Sequence, residues 1–216
     1  MSKRLILIPL ALLIAVSVYL VLQKNNILQP LANSEPTAHQ GHAIMEPIVL
    51  EDQPVGGDFV LQTVDGEFDL KDYRGKLVLI YFGYTFCPDI CPTNLALMAQ
   101  TLNALSEQEL DQIQPIFISV DPQRDNLQHL KQYSQYFHPR IIGMTDDEKT
   151  IAKVASQYGA AYKKVFGESE GGYLVDHSSF TYLVDQSGKL VGSFAHATDP
   201  LQQVSRIREL LQISHE

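Results

Sequence analysis

Cysteine is scarce in this sequence and tryptophan is missing: 216 residues carry two cysteines, Cys87 and Cys91, and no tryptophan. The missing tryptophan excludes nothing. Two thiols four residues apart, however, cannot staple a small secreted fold, which needs several cysteines spread along the chain. They read instead as local chemistry. Basic side chains are also in short supply, 16 against 25 acidic ones, for a formal charge of −9. Lys3, Arg4 and Lys24 fall in an acid-free stretch before Glu35, which leaves the remainder with 13 basic and 25 acidic residues, a net −12. Such a surface is repelled by phosphates, which excludes nucleic acid as a partner and argues against anionic headgroups. Charged residues, at 19% of the chain, fall below the usual share for a soluble protein.

That deficit is concentrated at the amino terminus. Leu5 to Leu22 is an uncharged run of 18 residues, interrupted only by Pro9, Ser17 and Tyr19. At a helical rise of 1.5 Å per residue it spans about 27 Å, close to the hydrocarbon thickness of a bilayer. Pro9 lies in the first turns, where a missing N–H matters least. Lys3 and Arg4 favour a cytoplasmic amino terminus, although Lys24 weakens the asymmetry. A cleaved signal peptide is the competing reading, but Ser17 to Gln23 offers no good small-residue cleavage pair. Residues 1–23 are therefore expected to be a single-pass anchor. Either reading puts the rest of the chain outside the cytoplasm. Residues 24–45 are rich in Asn, Gln, Pro, Ser and Thr with no sustained apolar period, the composition of a tether. His39, His42 and Met45 lie in or beside it and read as incidental more readily than as an auxiliary metal site.

Beyond the tether the pattern becomes that of an α/β domain. Phe59–Gln62 and Glu67–Leu70 flank Asp65-Gly66, a hairpin signal. Leu77 to Gly83 is a continuous apolar run, as in a strand covered on both faces. Helical spacing follows from Cys91 to Leu105, then a strand over Pro115–Val120 and a helix over Asn126–Phe137. A short strand at Ile141–Met144 and a helix over Asp146–Tyr158 come next. Ser179–Val184 and Leu190–Phe194 alternate around Asp185–Gly188, and Leu201–Leu211 closes the chain as an amphipathic helix. Strands alternating with helices and ending in a hairpin predict one sheet with helices on both faces.

Cys87 and Cys91 stand where an apolar strand runs into a helix, in Gly83-Tyr84-Thr85-Phe86-Cys87-Pro88-Asp89-Ile90-Cys91-Pro92. Ligands of open α/β sheets collect at such strand ends. Pro88 suits the first turn of a helix, and helical spacing puts Cys91 on the same side as Cys87. Helix N–H groups should make both thiols ionise more easily than free cysteine, with Asp89 opposing. The site calls for a metal or a disulfide. The redox spacing Cys-x-x-Cys is not matched.

Two further segments stand out. In Ser119-Val120-Asp121-Pro122-Gln123-Arg124-Asp125, Asp121-Pro122 ends a strand, Asp125 is placed to cap the next helix, and Arg124 is a candidate to pair with an acid or a partner protein. Of the seven histidines, His129 and His138 border a surface helix, His196 reads as loop and His215 is terminal. His177 stands apart in Asp176-His177-Ser178, immediately before an apolar strand. The residues alone leave it open between a ligand and a hydrogen-bonded structural histidine.

These three segments, in their order and separation, resemble the Sco/SenC family of copper-binding proteins over about residues 46–211. The resemblance implies a thioredoxin-like central sheet flanked by helices over 46–216, preceded by one transmembrane helix. It also implies a copper site made of Cys87, Cys91 and His177, holding Cu+, Cu2+ or both. Phe86 departs from the family, many members of which have histidine before the first cysteine. The implied role is that of a metallochaperone delivering copper to the copper-accepting subunit of cytochrome c oxidase, with auxiliary thiol–disulfide reduction left open. It would be anchored in a bacterial-type inner membrane, facing the periplasm, with other copper chaperones or thioredoxin-like reductants as further partners. Soft thiolates suit Cu+ and imidazole either state, whereas structural zinc ordinarily takes four protein ligands. The alternative is a membrane-anchored thiol–disulfide oxidoreductase in which Cys87 and Cys91 act on cysteines of the oxidase or of other extracytoplasmic proteins.

Overall fold

The structure is a computed structural model, and it describes residues 54–167 and 172–212. The described residues all belong to one compact unit. The expected anchor and tether, with His39, His42 and Met45, lie outside the described residues, as does His215. Among the described residues no helix is long and apolar enough to cross a membrane.

The chain opens with an antiparallel hairpin, β1 (Val60–Thr63) and β2 (Gly66–Asp69). Its two-residue turn is Val64-Asp65, and Gly66 follows at φ +123°, a conformation that favours glycine. A 3-10 turn over Leu70–Tyr73 leads into β3 (Leu77–Gly83), and every residue of β3 is buried. The elements that follow are α1 (Ile90–Asn103), α2 (Glu107–Leu110), β4 (Ile113–Ser119) and α3 (Leu127–Phe137). After them come β5 (Ile142–Met144), α4 (Glu148–Gln157), β6 (Tyr162–Phe166) and β7 (Tyr173–His177). β8 (Thr181–Val184), β9 (Leu190–Phe194) and α5 (Pro200–Gln212) complete the domain.

The main sheet has the order β5-β4-β3-β8-β9. β3, β4 and β5 run parallel, and β8 and β9 are antiparallel additions. Helices cover both faces, and β3 shows why. Tyr81 and Gly83 look toward α1, where Asn94 donates to the Tyr81 hydroxyl at 3.0 Å. Phe82, on the opposite pleat, packs on Tyr158 at the end of α4. A strand covered on both faces must be apolar throughout, as the Leu77–Gly83 run is.

Three strand ends meet at one edge of this sheet. Gly83 pairs with Ser119, the last residues of β3 and β4, while Thr181, the first of β8, pairs with Tyr81. The segments that leave or enter there carry the cysteines, the Ser119–Asp125 turn and His177.

The structure revises the expected fold in three places. The first turn of the cysteine helix begins at Ile90, so Pro88 precedes the helix rather than occupying its first position. α3 is capped by Asn126, whose side chain accepts from His129 N–H, and not by Asp125. Tyr162–Phe166 and Tyr173–His177 form a separate antiparallel ribbon that the alternation pattern did not indicate. His177 is thus the last residue of a ribbon strand.

The packing of α3 on β5 leaves no room at Gly143, where a Cβ would stand 2.5 Å from the Leu130 carbonyl oxygen. Gly143→Ala should therefore lower stability by about 1–3 kcal/mol, read as a shifted urea midpoint with unchanged slope.

Candidate metal centre

The strand-to-helix connection is built as a turn followed by a helix whose usual cap is missing. Cys87 N–H donates to the Tyr84 carbonyl at 3.3 Å, closing the turn. Asp89 occupies the N-cap of α1 without a side-chain hydrogen bond. The Cys87 sulfur takes over that role and accepts from the Cys91 N–H at 3.4 Å. Orphan N–H groups at a helix start carry partial positive charge and favour an anion.

The two sulfurs differ in kind. Cys87, the less buried of the two, is drawn down to about 3, chiefly by the hydrogen bond from Cys91, with further help from the backbone N–H groups of Cys91 and Asp89. Cys91 is fully buried, and burial together with the neighbouring Cys87 pushes its thiol far up. Equal activation of both thiols does not occur. Two sulfurs this close retain one proton between them, and it stays on the buried one. The Asp89 carboxylate, expected to oppose ionisation, is exposed to solvent, while the Asp89 N–H supports the Cys87 thiolate.

His177 completes the cluster. Its Nε2 lies 3.2 Å from the Cys91 sulfur, across 86 residues of sequence. Its Nδ1 lies 3.0 Å from the Ser178 carbonyl oxygen. A carbonyl only accepts, so Nδ1 carries the hydrogen and Nε2 is the nitrogen turned to the sulfurs. Tyr84 meets the imidazole edge-on with ring centroids 5.8 Å apart, and Tyr81 does so at 6.2 Å. The Cys87, Cys91 and His177 donor atoms all lie within 4.8 Å of one another. Bonds of about 2.0–2.3 Å to one central ion would need only a modest closing of this triangle. Among the described residues it is the one cluster of three His, Cys or acidic side chains with metal-site spacing.

Other expected residues lie apart. His138 is buried beside Arg140, and its Nδ1 accepts from the Arg140 N–H. His129 packs against Phe86 and Tyr133. His196 is not simply loop: its Nδ1 meets Asn94 Oδ1 at 3.0 Å, and Asn94 also holds Tyr81. Arg124 pairs with Asp121 and stacks over Tyr173 at 3.7 Å, with Phe86 at 5.0 Å. Asp125, buried, accepts from the Thr85 N–H, the Thr85 hydroxyl and the Ser119 hydroxyl. Tyr81, Tyr84 and Asn94 were missed by sequence reasoning. Two weak signals pointed to them: Tyr81 shares a strand face with Gly83, and Asn94 lies one helical turn beyond Cys91.

A thioredoxin-like α/β domain with a dithiol and an imidazole at the strand ends is the class that this fold and site define. The SCO1/SenC family profile matches residues 49–212. An SCO2-like protein of Rickettsia conorii is 38% identical over 207 residues, covering 94% of this chain and 95% of that one. Arabidopsis thaliana ScoI, solved with copper bound, superposes with a TM-score of 0.67 at 36% identity over 73% of this chain and 98% of that one. Bradyrhizobium japonicum ScoI, also solved with copper bound, gives 0.66 at 37% identity over 73% and 99%. The chain belongs to the SCO1/SenC family.

Two measurements check the geometry. At pH 5, where an ordinary thiol with a pKa of about 8.5 is almost fully protonated, iodoacetamide should label Cys87 in the reduced metal-free protein and spare Cys91 until the chain is unfolded; peptide mass mapping reads the sites. Gly83 has no space for a side chain, since a Cβ would sit 2.7 Å from the Cys91 sulfur and 2.9 Å from Phe117. Gly83→Ala should displace that sulfur from His177 and cost about 1–3 kcal/mol of stability, with a changed His177 ring signal in the nuclear magnetic resonance spectrum.

Proposed function

We propose that Cys87, Cys91 and His177 bind one copper ion as cargo and that the protein is a copper metallochaperone for the copper centre of cytochrome c oxidase. The observation that carries this reading is the orientation of His177: Nδ1 is committed to the Ser178 carbonyl, which turns Nε2 toward Cys91. Metal-ligating histidines are held in this way, with the second nitrogen donating to a fixed acceptor. Two sulfurs and one imidazole suit Cu+. Three ligands leave a coordination position through which a recipient's ligand can enter before the donor's leaves. Family membership supports copper as the metal and oxidase assembly as the process, with the oxidase's copper-accepting subunit as recipient.

In this reading residues 1–23 tether the protein to a bacterial-type inner membrane, with the domain from about residue 46 on the periplasmic side. The apolar Leu5–Leu22 run behind Lys3 and Arg4 supports that placement.

A second role rests on the inequality of the two sulfurs. Cys87, as thiolate, is the nucleophile that would attack a disulfide of the recipient, and Cys91 would resolve the mixed disulfide. The recipient's disulfide becomes two thiols, and Cys87 and Cys91 become a disulfide. The same dithiol can then ready a recipient's cysteines and supply its metal.

The reduced full-length chain in detergent should take up one copper per protein under anaerobic conditions. His177→Ala should weaken that binding by more than about tenfold while leaving reduction of a model disulfide largely intact. Metal analysis beside a competing Cu+ chelator reads the first effect, and thiol release the second. Copper bound equally well without His177 would end the three-ligand reading.

A further inference from the structure

Among the described residues, the ribbon that carries His177 shares no main-chain pairing with the five-stranded sheet that positions the cysteines. Beyond the short Ser178–Phe180 link into β8, which Asn94 holds at the Ser179 carbonyl, its place over the dithiol depends on side-chain contacts. Val175 N–H points away from β6 and donates to the Tyr84 hydroxyl at 3.1 Å. By the alternation of an antiparallel pair, the Tyr173 main-chain groups face the same way. The Tyr173 carbonyl there accepts from Arg124 Nη1 at 2.8 Å, and the Tyr173 hydroxyl donates to Asp121 at 2.7 Å. Arg124 Nε is bound to the other oxygen of Asp121, and the guanidinium carbon lies over the Tyr173 ring, 3.7 Å from its centroid. Asp121 is fully buried, and little of the Arg124 side chain is exposed.

The same turn grips the other half of the site. Four residues after Asp121, Asp125 takes both the N–H and the hydroxyl of Thr85, two residues before Cys87. Ser119 ties the turn together, donating to Asp125 and accepting from the Asp121 N–H. Asp125 of this turn thus holds the cysteine loop, while Asp121 and Arg124 hold the histidine strand.

We propose that Arg124 is a positioning residue for His177, and that the Ser119–Asp125 turn sets the separation between the imidazole and the dithiol. The proposal rests on the three-ligand reading for its metal-dependent consequence but not for its metal-free one. Arg124 is suited to the task because its planar fork binds Asp121 and the Tyr173 carbonyl at once while stacking on the ring; a lysine supplies one point charge and no plane.

The test is a double-mutant cycle in the full-length protein, read in two ways. In the metal-free state, Arg124→Gln should shift the His177 ring resonances. In copper titrations Arg124→Gln should weaken binding about tenfold in the otherwise wild-type chain but less than about twofold in a His177→Ala background. Arg124→Lys should rescue only in part. Tyr173→Phe, which keeps the carbonyl and removes one hydroxyl, gives a milder version should the glutamine variant fold poorly. An equal loss of copper in both backgrounds, or unmoved His177 resonances in Arg124→Gln and Tyr173→Phe alike, would overturn the proposal. Should the wild-type chain bind no copper, the functional reading fails, and the metal-free resonances still decide the role of Arg124.

Discussion

The contact between the Cys91 sulfur and His177 Nε2 is the constraint on which the rest of the site depends. It spans 3.2 Å in space and 86 residues in sequence. No local preference can hold such a contact. The parallel pairing of β3 with β4 brings the cysteine loop and the Ser119–Asp125 turn to one edge, and β8 returns the chain to the same edge just after His177. An open sheet whose strands end together has its ligand crevice there because the loops, and not the strands, are free to vary.

Within that crevice the sulfurs are unequal because their surroundings are. Cys87 sits over the first N–H groups of α1, and its thiolate replaces the absent side-chain cap. Cys91 sits in the first turn of the helix, sealed beneath Gly83, Phe117 and Tyr81, where a charge is costly. The pair thus holds one negative charge ready for a soft cation and one proton to be displaced by it. The two proposed roles, carrying metal and reducing a disulfide, draw on the same asymmetry.

Much of the fold was legible. Leu77–Gly83 read as a strand buried on both faces, and it is one, because continuous apolar sequence over seven residues has few other uses. The helices after it and the closing hairpin follow their periodicity to within a few residues. The ribbon of β6 and β7 was not legible. Tyr162-Lys163-Lys164-Val165-Phe166 mixes charged and apolar residues, since a two-stranded ribbon needs only one covered face and Val165 and Phe166 stay exposed. Asp125 misled for a related reason. It precedes a helix and has a capping side chain, but Asn126 beside it caps equally well and leaves the buried carboxylate free for Thr85 and Ser119.

Residue types and spacing alone determined that two thiols would share one strand-to-helix junction, because a four-residue separation is a local distance. They also determined that the chain would form an α/β sheet, because period and composition are local quantities. Tertiary structure decided which histidine joins the thiols, which sulfur keeps its proton and what holds the histidine strand in place. Those outcomes depend on burial and on contacts between segments far apart in the chain, and only a folded sheet brings such segments together.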